Sequence, residues 1–122
     1  MAISSYQDLT VWQKGMQLAE ECYRLTRQFP KAEMFGLTSQ IRRASSSIPA
    51  NIAEGWGREG TREYLQFLRV AQGSLKELET HLILSHRVEM VREDEVVPLL
   101  GLCSEVGKMI RSLTGSLQRK LQ

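Results

Sequence analysis

Cysteine is scarce in this sequence, which contains only Cys22 and Cys103. Two cysteines cannot build the disulfide framework that stabilises many small secreted domains. Each lies among apolar neighbours at helical spacing, which predicts two buried and reduced thiols. The first six residues also lack the charged and apolar regions of a signal peptide. These absences together predict a cytoplasmic protein.

Long apolar runs are missing as well, and none approaches the roughly 20 residues of a membrane-spanning helix. We therefore expect no membrane partner. Glycine and proline are few, with 9 and 3 residues, and they are scattered, so no segment is predicted to be disordered. The remaining composition, 42% hydrophobic and 25% charged, is typical of a globular chain. It predicts one domain over residues 1–122, whose core needs no metal or disulfide.

Catalytic and metal-binding motifs are also lacking. His81 and His86 are five residues apart, which on a helix places them about 140° from each other, too far to share a metal easily. No Glu-x-x-His pair of the di-iron bundles occurs. Gly55-x-Gly57-x-x-Gly60 matches a dinucleotide fingerprint in letters only, because it follows a predicted helix and not a strand. We therefore predict that the protein is not an enzyme and holds no cofactor and no metal.

Helical periodicity is what the sequence does contain. The third helix has the clearest pattern, because its apolar residues keep a spacing of four and three without a break: Tyr64, Leu68, Ala71, Leu75, Leu78 and Leu82. The first three predicted helices cover about Leu9–Phe29, Leu37–Gly55 and Thr61–Val88. Residues 91–95 are either a short link or the first turn of the fourth helix, where acidic side chains favour a helix N-terminus. The connectors are short, so neighbouring helices should be antiparallel. The predicted fold is all-α, an up-down-up-down four-helix bundle.

Local signals predict the helix ends and irregularities. Thr10 with Gln13 fits a capping box for the first helix, and Thr61 is a suitable N-cap for the third. Pro49 should kink or split the second helix, because it removes a backbone hydrogen bond. Pro98 is tolerated in the fourth helix only within the first turn. Two adjacent apolar stripes on the first helix predict a wide face towards the core.

The segment Arg42–Gly55 is unusual for a helix that is otherwise expected to be buried. One interpretation is close helix packing, in which the small residues let backbones approach and Asn51 satisfies backbone groups freed by Pro49. The other is a specificity device, in which Asn51 and Glu54 set the register at a subunit contact. The candidate residues for a subunit interface or for bundle specificity are Ile48, Pro49, Asn51, Ile52 and Glu54.

Charge of one sign does not dominate, since the formal net charge is only +2. The arrangement of the basic residues is more informative, because Arg62, Arg69 and Lys76 repeat every seven residues on the third helix. The candidate nucleic-acid-binding residues are Arg42, Arg43, Arg58, Arg62 and Arg69. The alternative is a solvated surface of mixed charge, since glutamates are interleaved with these residues. Symmetry in an oligomer could multiply a weak basic surface into a strong one.

Three segments resemble a known family: Asp8-Leu9-x-Val11-Trp12, residues 35–44 and the stretch Ser47-Ile48-Pro49-Ala50-Asn51-Ile52-Ala53-Glu54-Gly55. They are similar to bacterial four-helix-bundle proteins that include the intervening-sequence protein encoded inside some large-subunit ribosomal RNA genes. These also look related to the accessory variability determinant of diversity-generating retroelements. The resemblance implies an antiparallel bundle, a homopentamer, and binding of nucleic acid through a basic surface. It implies no catalytic residues.

Two functions remain in competition. The first is a non-enzymatic homo-oligomeric accessory protein that binds RNA or DNA, with ribosomal RNA or a reverse transcriptase as its context. The second is a structural or protein-interaction scaffold without a nucleic-acid role. Oligomerisation fits both, because the first half of the chain carries more large apolar residues than one bundle core requires, among them Trp12, Phe29, Phe35 and Trp56.

Overall fold

A computed structural model describes residues 3–122 and confirms the all-α prediction. Its four long helices are α1 (Thr10–Thr26), α2 (Leu37–Trp56), α3 (Thr61–Arg87) and α4 (Glu93–Lys120). Short 3-10 helices span Tyr6–Asp8 and Lys31–Glu33, and the described residues contain no strand. Each helix contacts the next along the chain, and α1 also contacts α4. The short connectors and these contacts make an antiparallel four-helix bundle.

The core consists of one apolar face from each helix. The predicted α3 positions from Leu68 to Leu82 are buried, as are Val96, Leu99, Cys103, Val106 and Ile110 on α4. On α1, however, only one of the two predicted stripes faces this core along its whole length, and the other (Leu9, Trp12, Met16, Ala19, Tyr23 and Thr26) does so in part. Val11, Leu18, Cys22 and Leu25 are buried, whereas Met16 and Tyr23 are exposed and Trp12 is half-buried. Ala19 and Thr26 of the same stripe are buried, so this stripe faces outwards only at Trp12, Met16 and Tyr23, and these three residues are its outward part.

The ends of α1 differ from the prediction. Thr10 and Gln13 do not form a capping box, because Leu9 occupies the N-cap position and makes no side-chain hydrogen bond. The capping box belongs instead to the preceding 3-10 helix, where the Ser5 hydroxyl accepts from the Gln7 N–H at 3.1 Å. The helix also ends at Thr26 and not at Phe29, and the chain turns before Pro30. Phe29 nevertheless reaches the core from this turn.

Two further predictions on helix ends are wrong. Gly60, with extended backbone angles, is the N-cap of α3, so Thr61 is already the first helical residue. The acidic residues Glu93 to Glu95 do form the first turn of the fourth helix, as one alternative predicted, and the Glu95 carboxylate accepts a hydrogen bond from the Arg92 N–H at 2.9 Å. Because α4 begins so early, Pro98 lies in its second turn and not in the first. Pro98 is exposed, and the backbone hydrogen bond that it cannot donate is the one to the Asp94 carbonyl.

Pro49 does not split α2, which runs without interruption from Leu37 to Trp56. The proline ring is buried against α1 at a glycine: a Cβ added to Gly15 would lie 3.5 Å from the Pro49 Cβ. This close packing offsets the hydrogen bond that the proline cannot donate. The carbonyl left without that donor belongs to Ser45, four residues earlier. Asn51 does not supply the missing donor, because its amide donates to the Ser47 carbonyl at 2.8 Å.

Candidate functional site

A groove of about 580 Å³ runs along the outside of α1 and α2. We call it the α1–α2 groove. Its apolar walls come from the stripe of α1 that faces partly outwards and from small residues of α2. The residues that line it are Tyr6, Trp12, Met16, Ala19, Glu20, Tyr23, Arg24, Arg27, Ser46, Pro49, Ala50 and Ala53. An apolar concavity of this size on a small domain is typical of a surface that binds a partner.

Aromatic contacts and small side chains give the groove its shape. The ring of Tyr6 packs edge-on against Trp12, with centroids 5.3 Å apart, and against Trp56 at 6.4 Å. These contacts tie the N-terminal segment to both helices. Ala50 is exposed on the α2 side, so the groove opens to solvent over short side chains.

The large apolar residues that suggested oligomerisation separate into different environments. Phe29 belongs to the core, whereas Trp12 and Trp56 are half-buried at the α1–α2 side of the bundle. Phe35, in the loop before α2, is 93% exposed and the neighbouring Met34 is 52% exposed. Phenylalanine with this exposure is uncommon on a monomer surface, so the loop and the groove together present apolar area without an intrachain partner.

Two of the five predicted nucleic-acid-binding arginines have acidic partners. The Arg43 guanidinium pairs with the Glu77 carboxylate and links α2 to α3. Arg58 lies 3.7 Å from the Glu54 carboxylate on the preceding turn, and its guanidinium stacks over the Phe67 ring at 4.9 Å. Each of these positive charges is therefore partly neutralised within the chain, which lowers its attraction for a phosphate.

Arg62 and Arg69 differ from those two, because both are exposed on α3 and neither pairs with a carboxylate of the described residues. Arg69 makes only a long hydrogen bond of 3.5 Å to the Gln66 side chain. Lys76, the next residue of the seven-residue repeat, is paired with Glu79 at 2.9 Å. The repeat therefore presents two available cations, which we call the arginine pair.

Arg42 lies apart from the arginine pair, at the end of α1. Its Nε donates to the Thr26 hydroxyl at 2.9 Å, and its guanidinium stacks over the Tyr23 ring at 4.8 Å. Through both contacts the half-buried side chain of Arg42 connects α2 to α1. The structure thus divides the five predicted arginines among three separate environments.

The predicted interface residues lie in a different arrangement. Ile48 and Ile52 are fully buried in the core of the single chain, and Pro49 packs against α1. Asn51 is half-buried, and its amide also reaches the Ser47 hydroxyl at 3.0 Å. That hydroxyl lies 2.8 Å from the Ser74 hydroxyl, so the three residues form a polar link between α2 and α3. Glu54 is exposed and engaged with Arg58.

Gly55 is the position at which the close helix packing expected for the small-residue segment is tightest. A Cβ placed on it would lie 2.8 Å from the Phe67 Cβ and 2.9 Å from the Tyr64 Cδ1. Only a residue without a side chain allows α2 and α3 to approach this closely. The small-residue run that ends at Gly55 was the signal for this close approach, although it did not specify which helix would be the neighbour.

Burial determines the chemistry of the thiols. It raises the pKa of Cys22 and of Cys103 to about 12, so both stay protonated at neutral pH and are poor nucleophiles. Over residues 3–122, no group of three or more histidine, cysteine or acidic side chains is placed to hold a metal ion. Within the same part of the chain, every helix is too short or too polar to cross a membrane.

The geometry defines a small four-helix-bundle protein with an apolar groove on one side and exposed arginines on another. More particularly, the chain belongs to the 23S rRNA-intervening sequence protein family, whose model matches residues 7–112. The resemblance of the motifs to the intervening-sequence protein is therefore confirmed. A search of curated proteins finds no match.

A solved structure from Bacteroides thetaiotaomicron has the same fold. It is described as a protein with unknown function from the S23 ribosomal protein family. It matches with a TM-score of 0.78 at 23% sequence identity, over 86% of this chain and 98% of that chain. Neither this description nor that of the family names an enzymatic activity.

Proposed function

We propose that this protein is a non-enzymatic, homo-oligomeric accessory protein that binds RNA or DNA through a basic surface in the cytoplasm. The observation that carries the proposal is the arginine pair. Arg62 and Arg69 are seven residues apart on α3, so they share a face, and both are free of carboxylate partners within the described chain. Ribosomal RNA is the partner that the family description suggests, and the resemblance adds a reverse transcriptase as a second candidate.

The α1–α2 groove supports the oligomeric part of the proposal. A second copy of the chain would cover its apolar walls and the exposed Phe35, which the isolated chain leaves in water. The number of five subunits comes from the family resemblance. One arginine pair per chain makes few phosphate contacts, and a ring of chains multiplies them.

A scaffold without a nucleic-acid role is the second candidate. Two observations favour it: Arg43 and Arg58 are neutralised by glutamates, and the net charge is only +2. In that case the groove would bind protein, and the arginine pair would only be a solvated surface.

A salt titration distinguishes the two candidates. We expect wild type to bind RNA and duplex DNA with little sequence preference, because exposed arginines on a helix face meet phosphates. Affinity should fall steeply with salt. The double substitution Arg62→Glu and Arg69→Glu should weaken binding at about 50 mM salt and reduce the log–log salt slope by about 2 per engaged chain.

The matched control is Lys108→Glu with Arg111→Glu, which changes the charge equally at two exposed positions on α4. This control should retain most of the affinity. Absence of any binding by wild type at about 50 mM salt would favour the scaffold. Equal loss in both double variants would show that net charge, and not the arginine pair, determines binding.

A further inference from the structure

A second pocket lies where α1 ends and the chain turns towards α2. Its volume is about 290 Å³, and we call it the α1-end pocket. It is lined by Thr26, Arg27, Phe29, Pro30, Lys31, Met34, Thr38 and Arg42. Three of these residues are cations and none is an acid, which is unusual in a chain with 16 basic and 14 acidic residues. A small concavity of one charge sign concentrates the electrostatic potential and attracts a counter-ion.

The three cations also lack partners in the described chain. Arg27, Lys31 and Arg42 form no ion pair with any carboxylate of residues 3–122. The acid in the same loop, Glu33, is turned away and accepts a hydrogen bond from the Leu37 N–H at the start of α2. The end of α1 contributes about half a negative charge, which is less than the three positive charges that surround the pocket.

Arg42 is held in place for a ligand. Its Nε donates to the Thr26 hydroxyl at 2.9 Å, and that hydroxyl in turn donates to the Cys22 carbonyl at 2.9 Å. Stacking on Tyr23 at 4.8 Å fixes the plane of the guanidinium. The two terminal nitrogens make no hydrogen bond within the described chain, so they remain as a forked pair of donors. A side chain that is already ordered loses less entropy when it binds an anion.

We propose that the α1-end pocket binds a phosphate group. The Arg42 fork donates to two of its oxygens, and Arg27 and Lys31 supply further positive charge at the rim, where both are exposed. The shared chemistry is a phosphoryl group, whether it belongs to a nucleic-acid chain or to a small phosphorylated molecule. The site goes beyond the function proposed above, because it includes neither residue of the arginine pair and stands without it.

The first test measures the binding of inorganic phosphate to the full chain at low ionic strength by titration calorimetry. A titration with chloride at equal ionic strength is the comparison. Wild type should bind phosphate saturably. Arg42→Gln should weaken binding about tenfold or more, since it removes the positive charge and the forked pair of charge-assisted hydrogen-bond donors. Arg111→Gln, at an exposed arginine on α4, is the matched control and should bind as wild type does.

Arg42→Gln also removes the hydrogen bond to Thr26 and could therefore disturb the fold. A second variant tests the proposal without changing that contact. Lys31→Gln removes a charge that makes no side-chain hydrogen bond or ion pair within the described residues, so the fold should be unaffected. It should also weaken phosphate binding. Absence of saturable phosphate binding by wild type would overturn the proposal. Wild-type affinity in a folded Lys31→Gln and in a folded Arg27→Gln would overturn it as well.

Competition then identifies the source of the phosphate and separates this site from the arginine pair. If single-stranded RNA displaces inorganic phosphate from wild type, the phosphate belongs to a nucleic-acid chain. If phosphate binds but RNA does not displace it, a small phosphorylated molecule is the ligand. The Arg62→Glu and Arg69→Glu variant should bind RNA more weakly and still bind inorganic phosphate as wild type does, so that the two proposals can fail independently.

Discussion

At the scale of single residues, glycines show how closely α2 and α3 pack. Gly55 has no room for a Cβ, because Phe67 and Tyr64 occupy that space, whereas Gly73 and Gly101 face open space on α3 and α4. The same chemical change at these positions therefore has opposite consequences. In one case the methyl group is inserted into a filled contact, and in the others it only improves the helix propensity.

We predict that Gly55→Ala destabilises the protein by about 1 kcal/mol, since overpacking costs about 1–3 kcal/mol and the gain in helix propensity is about 1 kcal/mol. Gly73→Ala and Gly101→Ala should instead stabilise it by about 0.5–1 kcal/mol. Urea unfolding followed by circular dichroism at one fixed protein concentration measures the three differences. Stabilisation of Gly55→Ala equal to that of the two controls would show that α2 and α3 can separate at no cost.

At the scale of the helices, α1 is the element that contributes apolar residues both to the bundle core and to the α1–α2 groove. One of its stripes fills the bundle core, and the outward part of the other forms a wall of the α1–α2 groove. A helix that is apolar over so wide an arc needs cover on both sides. The bundle supplies cover on one side only, which is why the groove is the best candidate for a subunit contact.

A charge placed in the groove tests this interpretation. Ala50 is exposed on α2, so Ala50→Glu should leave the single chain folded, but the new carboxylate would lose its water at a subunit contact. We expect wild type to show the mass of several chains of 13.9 kDa by light scattering coupled to size exclusion, and Ala50→Glu to shift towards one. Ser112→Glu, an exposed position on α4, should keep the wild-type mass. A wild type of 13.9 kDa at micromolar concentration would rule out the oligomer.

At the scale of the whole molecule, assembly and nucleic-acid binding should depend on each other. A net charge of +2 and one arginine pair per chain are a weak basis for affinity, so several chains must bind one nucleic acid together. Ala50→Glu should therefore weaken RNA binding at about 50 mM salt, although it lies on α2 and leaves the arginine pair unchanged. Filter binding of wild type, Ala50→Glu and Ser112→Glu measures this. A monomeric Ala50→Glu that binds like wild type would show that one chain is sufficient.

The sequence by itself determined the helices and most of the core. Apolar spacing of three and four residues specifies which face of a helix is buried, so the α3 positions from Leu68 to Leu82 could be predicted one by one. The ion pair between Glu54 and Arg58 could also have been predicted, because residues four apart on a helix are neighbours. Helix ends were less predictable, since Leu9 and Gly60 occupy N-cap positions without a capping side chain.

Only the tertiary structure decided which surfaces are available to a partner. The pairing of Arg43 with Glu77 joins residues 34 apart in the chain, and Arg42 reaches Thr26 across 16 residues. Periodicity describes one helix at a time, whereas these contacts depend on how two helices are placed side by side. For the same reason the stripe of α1 that faces partly outwards could not be told from the inward one: both have the helical period, and only the packing of α2 and α4 against α1 selects between them.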